Sequence, residues 1–176
     1  MSSSPDERVF MRLSKTSQPP RMDEVPDGGL CLSSFLVISR SGRQNHVLMG
    51  ILDPKAPWER IGALDSKRAE LNSRGWMLPS SHLLLHESPQ EAASRIAREQ
   101  LEIEGLRLQG PLVFSEVYGP KKHWDIEFVF LGEMDQPPKA SAWSRLEFVD
   151  TSTLRRPDFA RSHEDILEHV GRWREA

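Results

Sequence analysis

Apolar positions along the chain fall into short runs separated by Gly, Pro and Ser. The first run, Leu30 to Ile38, turns at Ser39-Arg40-Ser41-Gly42-Arg43 and returns as His46 to Leu52. Two apolar runs split by a short Ser/Gly turn predict a β-hairpin. From Asp53 to Gly75 the pattern loosens around Pro54, Pro57 and Gly62, which predicts an insertion between strands, with Asp65 to Leu71 forming one or two helical turns. Trp76-Met77-Leu78 then predicts a short strand that stops at Pro79.

A helix follows with a well-marked start: Ser88 as N-cap, Pro89 at the first helical position and Glu91 completing a capping box, the helix running to about Leu101 or Ile103. Further strands are expected at Leu106 to Tyr118, broken near Gly110-Pro111, and at Trp124 to Leu131 and Leu146 to Val149. Within the second, Trp124, Ile126, Phe128 and Phe130 alternate with Asp125 and Glu127, giving one strongly apolar face. A last helix is expected from Ser162, with Asp165 at the capping-box position and Ile166, Leu167, Val170 and Trp173 buried at helical spacing. The order predicts an α+β domain with a mixed sheet over residues 27–176, carrying the insertion at about 53–75. Residues 1–26 mix Ser, Pro and charges around few apolar residues, the composition of a flexible tail.

Composition narrows the class. Charged residues make up 28% against 38% hydrophobic, with a formal net charge of -3, so there is no electrostatic reason to expect nucleic acid as a partner. The single cysteine, Cys31, lies between Leu30 and Leu32 and reads as a small core residue. One cysteine cannot build an internal disulfide, which points to a reducing compartment. No apolar run approaches the ~20 residues of a membrane helix, so a cytoplasmic location is expected.

The segment from Ser81 to Ile103 resembles the Nudix box, G-x5-E-x7-R-E-U-x-E-E-x-G-U with U a bulky aliphatic residue. Glu87 falls on the first E, Arg95 on the R, Ala97 on the first U, Glu99 on the first member of the E-E pair and Ile103 on the last U. Ser81 replaces the first Gly, Ile96 the E after Arg, Gln100 the second member of the E-E pair and Glu102 the closing Gly. The hairpin before the box and the strands after it fall where Nudix domains have theirs. The resemblance therefore implies a Nudix-like α/β/α sandwich with a mixed central sheet.

The resemblance also implies chemistry: cleavage of a diphosphate linked to a nucleoside or other group, with magnesium held by carboxylates. On a helix, positions 92, 96, 99, 100 and 103 share one face, which here reads Ala92, Ile96, Glu99, Gln100, Ile103. Of the family's three glutamates only Glu99 remains, so Glu99 is the candidate catalytic carboxylate and Glu99 with Gln100 the candidate metal ligands. Glu87 and Arg95 match the pair that braces the box loop against the helix. Ser80 and Ser81 replace a Gly-Gly turn, and Gln136 to Arg145, where relatives often carry a further acid, contains none. Glu127 is the best outside acid and second candidate catalytic residue, ahead of Glu116, Asp125, Glu102 and Glu104. Trp58 and Trp124 are the aromatic candidates to stack on a base. His82, His86 and His123 flank the box loop and the aromatic strand without a metal-ligand spacing, and Leu83-Leu84-Leu85 suggests a covered surface such as a homodimer contact.

Two functional readings follow. In the first, the degraded magnesium site leaves a protein that binds a nucleoside-diphosphate-type small molecule with weak or no hydrolysis. In the second, a pyrophosphohydrolase uses a rebuilt magnesium site built from Glu99, Gln100 and an acid such as Glu127 or Glu116.

Overall fold

The computed structural model describes residues 27–118 and 122–175. The expected tail, residues 1–26, lies outside the described residues. The predicted hairpin forms as β1 (Leu30–Arg40) and β2 (Arg43–Leu52), joined at Ser39 with Val47 and Arg40 with Arg43. Beyond that point β2 leaves β1, and the segment from Trp76 enters the gap. Met77 bridges to Gly50 of β2, and β3 (Ser80–His82) runs antiparallel to Ser33–Phe35 of β1. The strand expected to stop at Pro79 therefore continues past it. Proline lacks an N–H but keeps its carbonyl, and Pro79 O accepts from Leu36 N at 2.9 Å.

On the other side of β1, β5 (His123–Met134) pairs in parallel from Leu30 with Trp124 to Arg40 with Met134. β4 (Leu108–Tyr118) adds antiparallel to β5, its register slipping between Gln109 and Leu112 at the predicted break. β6 (Trp143–Asp150) adds antiparallel to β2. The mixed sheet runs β4-β5-β1-β2-β6, with β3 wedged beside β1.

The insertion holds two short helices, α1 (Trp58–Gly62) and α2 (Ser66–Asn72). The box helix is α3 (Pro89–Gln100), and α4 (His163–His169) follows β6. Leu36, Ile38, Leu48 and Phe130 face α3 and pack on Ala93, Ile96 and Ala97. Phe35, Val37, Met49 and Val129 face the opposite way and pack on Ile166 and Leu167 of α4 and on Trp173. A third cluster, with Trp58, Ile61, Leu64, Met77 and Trp143, fastens the insertion to the β2–β6 end. Burying a side chain of this size contributes roughly 1.5–3 kcal/mol, so this third cluster holds the insertion against the sheet.

Two expectations need correction. The capping box at Ser162 does not form: Ser162 sits at φ 56° with no side-chain cap, and Asp165 instead contacts Arg156 at 3.1 Å. The second concerns β5, where Trp124 on the expected core face is 54% exposed while Asp125 and Glu127 on the other face are buried. The apolar face is covered at Phe128 and Phe130, which pack with α3, but not at Trp124, and the opposite face is buried as well. Cys31 is buried as expected. Among the described residues no helix is long and apolar enough to cross a membrane.

Candidate functional site

The capping box of α3 is complete. Ser88 Oγ accepts from Glu91 N at 3.2 Å, and the Glu91 carboxylate accepts from Ser88 N at 2.8 Å. The loop before it is tied to the helix by Arg95, which donates through Nε and Nη2 to the two carboxylate oxygens of Glu87 at 2.7 and 2.9 Å, and from Nη2 to His82 O at 2.9 Å. Glu87 also accepts from Leu84 N at 2.8 Å. A bidentate pair of this kind fixes both partners in angle as well as distance.

The helix face aligned with the metal positions is occupied by packing. Ile96 is fully buried among the side chains that join α3 to the sheet. Gln100, also fully buried, accepts from Ser80 N at 3.1 Å and donates from Nε2 to Ser80 O at 2.8 Å and to Ile61 O at 2.7 Å. Its carboxamide thus satisfies the outer edge of β3 as a neighbouring strand would, a task that needs a donor and an acceptor together. Glu99, partly exposed, lies 3.4 Å from Arg60 of α1 and 3.8 Å from Arg95. Position 102, aligned with the closing Gly, takes φ 57° despite being Glu, and that side chain accepts from Ser141 N and Oγ, both at 2.7 Å. Ser80 and Ser81, by contrast, are in a strand, so no left-handed turn is being strained there.

On the other face of the sheet, between α2 and the start of α4, lies a cleft of about 370 Å³. Ser33 and Phe35 of β1, Asp125 and Glu127 of β5 and Ser80 to His82 of β3 line its base, with Tyr118 beside them. Arg68, Leu71 and Asn72 form one wall, and Arg161, Ser162 and His163 the other. The second wall is set by main-chain contacts: Trp76 N donates to Asp158 O at 2.9 Å and Ala160 N to Trp76 O at 3.0 Å. This close approach requires Gly75, where a Cβ would lie 2.8 Å from Ala160 N. Arg161 and Ser162 then both adopt left-handed backbone, φ 60° and 56°, at roughly 1–2 kcal/mol per non-glycine residue.

Electrostatics in the cleft are unusual. Ser33 Oγ lies 2.9 Å from both carboxylate oxygens of Asp125, and Tyr118 donates to Glu127 Oε1 at 2.7 Å. Burial disfavours the charged carboxylates, moving Asp125 up to about 6 and Glu127 up to about 7. For Glu127, the Tyr118 hydrogen bond opposes this rise and the charge of Asp125 adds to it. Burial drives the His163 imidazole well below its usual range, and its Nδ1 accepts from Leu78 N at 2.9 Å, which leaves Nε2 to carry the proton of a neutral ring. Among the described residues, Glu127 Oε2 and Arg161 Nη1 are buried without a hydrogen-bond partner, as are the hydroxyls of Ser80 and Ser81.

Of the residues singled out in the sequence, Glu127 lines this cleft while Glu99 and Gln100 belong to the box side. Trp58 is no stacking surface: it is fully buried edge-on to Trp143 at 4.9 Å and donates Nε1 to Asp53 O. Trp124 is exposed but does not line the cleft. His82 lines the cleft and His86 is exposed, and among the described residues no group of three or more His, Cys, Asp or Glu is placed to hold a metal ion. Arg68, Arg161 and His163 were missed because they lie in segments read only for helix signals. Ser33 had a legible signal, a polar residue interrupting an apolar strand.

No family model matches the sequence, and no curated protein matches it. Solved structures do match the fold. The MutT protein from Methanosarcina mazei Go1 superposes with a TM-score of 0.58 at 15% identity, over 85% of this chain and 96% of that one. A MutT Nudix hydrolase from Burkholderia pseudomallei gives 0.55 at 19%, over 80% and 98%. The Nudix domain of Shewanella oneidensis NrtR, in complex with ADP ribose, gives 0.53 at 14%, over 81% and 87%. The parallel β1–β5 pair, the β3 wedge and the braced box helix, together with these superpositions, establish that this chain has the Nudix fold.

Proposed function

We propose that this protein binds a nucleoside-diphosphate-type ligand in the cleft between α2 and α4, without magnesium-dependent hydrolysis. The observation that carries this reading is the use of the box-helix face as packing: Ile96 is in the core and the Gln100 carboxamide is spent on Ser80 and Ile61. The donor set does not suit a hard divalent cation. Such ions take carboxylate, carbonyl or water oxygens. Here Ile96 offers none, Ser80 O already accepts from Gln100, and Glu99 faces the Arg60 and Arg95 guanidiniums. The cleft, in contrast, keeps volume and unpartnered polar atoms, as expected of a binding site. ADP ribose bound to the NrtR Nudix domain supports the ligand class by analogy of fold alone.

A hydrolytic reading has one observation in its favour: Glu127 is buried, poised near neutrality and has a free Oε2, the properties of a general acid or base. Turnover assays with a panel of nucleoside diphosphate compounds and a magnesium titration separate the two readings. Saturable binding without turnover is the expected result. Magnesium-dependent cleavage abolished by Glu99→Gln would overturn the proposal.

A further inference from the structure

We infer that Arg68 and Arg161 form a metal-independent anion subsite at the cleft, taking the phosphate groups of the ligand directly on their guanidinium donors. The inference rests on the binding function proposed above and names how the anionic part is held. Both arginines line the cleft from opposite walls, Arg68 from α2 and Arg161 from the loop before α4. Among the described residues neither is within salt-bridge distance of a carboxylate, whereas Arg60, Arg95, Arg145 and Arg156 all are. Arg161 Nη1 is buried with no hydrogen-bond partner among the described residues, an arrangement that costs free energy until something accepts from it.

The two guanidiniums also feel each other. Burial together with the charge of Arg68 lowers Arg161 to about 10, against the attraction of Asp125. An anion between them relieves both the repulsion and the missing hydrogen bond. Guanidinium forks match phosphate oxygens in geometry, and a partly enclosed site weakens screening by water. A phosphate and a carboxylate share this chemistry. The cleft favours a ligand with more than an anion, because Glu127 Oε2 in the same cleft is a free acceptor for an N–H or O–H.

The test is calorimetric titration of the intact protein with ADP, inorganic pyrophosphate, adenosine and citrate, each in EDTA and again with magnesium. Arg161→Gln and Arg68→Gln are titrated alongside, with Arg161→Lys as the conservative variant. ADP and pyrophosphate are expected to bind equally well in EDTA, and each Gln variant to weaken them about ten- to a hundredfold, the scale of a charge-assisted hydrogen bond. Adenosine affinity should not change, and Lys should restore only part of the loss because it lacks the fork. The Arg68 substitution sits on the short α2 and keeps the test alive if Arg161→Gln does not fold. ADP binding that needs magnesium, or that survives both Gln substitutions, overturns the subsite while leaving the binding function standing. Arg161-dependent binding of pyrophosphate without any ADP binding keeps the subsite and overturns the nucleoside ligand. Citrate binding tighter than pyrophosphate overturns phosphate as the anion. An absence of binding by all four probes overturns both.

Discussion

The two faces of the central sheet treat buried polar groups in opposite ways. On the α3 face they are consumed by the protein: Glu87 and Arg95 bond each other bidentately, and Gln100 bonds Ser80 and Ile61. Even Arg95 Nη1, which lacks a hydrogen bond, faces Glu99 at 3.8 Å. On the α4 face Glu127 Oε2 and Arg161 Nη1 are left without partners among the described residues, around an open cleft. A polar group satisfied internally stabilises the fold, and one left open is held ready for a ligand at some cost in stability. Substitutions on the α3 face should therefore change stability, and those on the α4 face should change binding and pH response.

The largest effect should come from restoring the family's glutamate at position 96. Ile96→Glu places a charge in a sealed apolar cluster and is expected to cost on the order of 4–5 kcal/mol, read as a collapse of the urea midpoint. A folded variant of near wild-type stability that gains magnesium affinity would break the contrast between the faces. Next is Gln100→Glu, in which the donor to Ser80 O and Ile61 O becomes a second acceptor facing carbonyl oxygens. A loss of about 2–3 kcal/mol is expected, measured by the same unfolding curves.

A smaller effect belongs to the cleft carboxylates. Glu127 rises from 4.5 to about 7 and Asp125 from 3.8 to about 6 on folding. The folded protein therefore holds protons that the unfolded chain has released. Their stabilising contribution is complete at low pH and is lost as pH rises through the folded values. Tyr118 bonds Glu127 directly, and Asp125, Glu116 and Asp165 add negative charge around it. Glu127→Gln cannot ionise, so its Tm should fall less than that of the wild type between about pH 5 and about pH 8. Equal slopes in the two proteins would show that Glu127 does not titrate as its burial requires. The smallest effect is expected for Glu99→Gln, since a partly exposed ion pair contributes roughly 0–1 kcal/mol. A large loss of stability there would mean that Glu99 anchors α1 far more tightly than its exposure suggests.

Much of the fold was legible because it follows from local chemistry. The Ser88-Pro89-Gln90-Glu91 cap, the hairpin around Gly42 and the break near Gly110-Pro111 all came from short-range signals, and the structure shows each helix or strand they imply. What misled was the extent of cover along β5, whose apolar face is buried at Phe130 and exposed at Trp124. Period-two alternation says that two faces differ but not how far along each one a neighbouring element will cover it.

The sequence by itself determined that this chain makes a mixed sheet with a helix capped at Ser88, and that Glu87, Arg95, Ile96 and Gln100 stand at fixed spacing along its start and face. Those are properties of residue identity at fixed spacing. Only the tertiary structure decided what Ile96 and Gln100 do and where the open cleft lies. Arg68, Arg161, Asp125, Glu127 and His163 come from the insertion, a strand, the loop leading into α4 and the first residue of α4, and no spacing rule joins them. Gln100 acts as a strand edge only because β3 is wedged beside it, and Arg161 reaches the cleft only because Gly75 lets the preceding segment close on Trp76. Contacts between distant segments depend on how the whole chain packs, and local patterns carry no record of that.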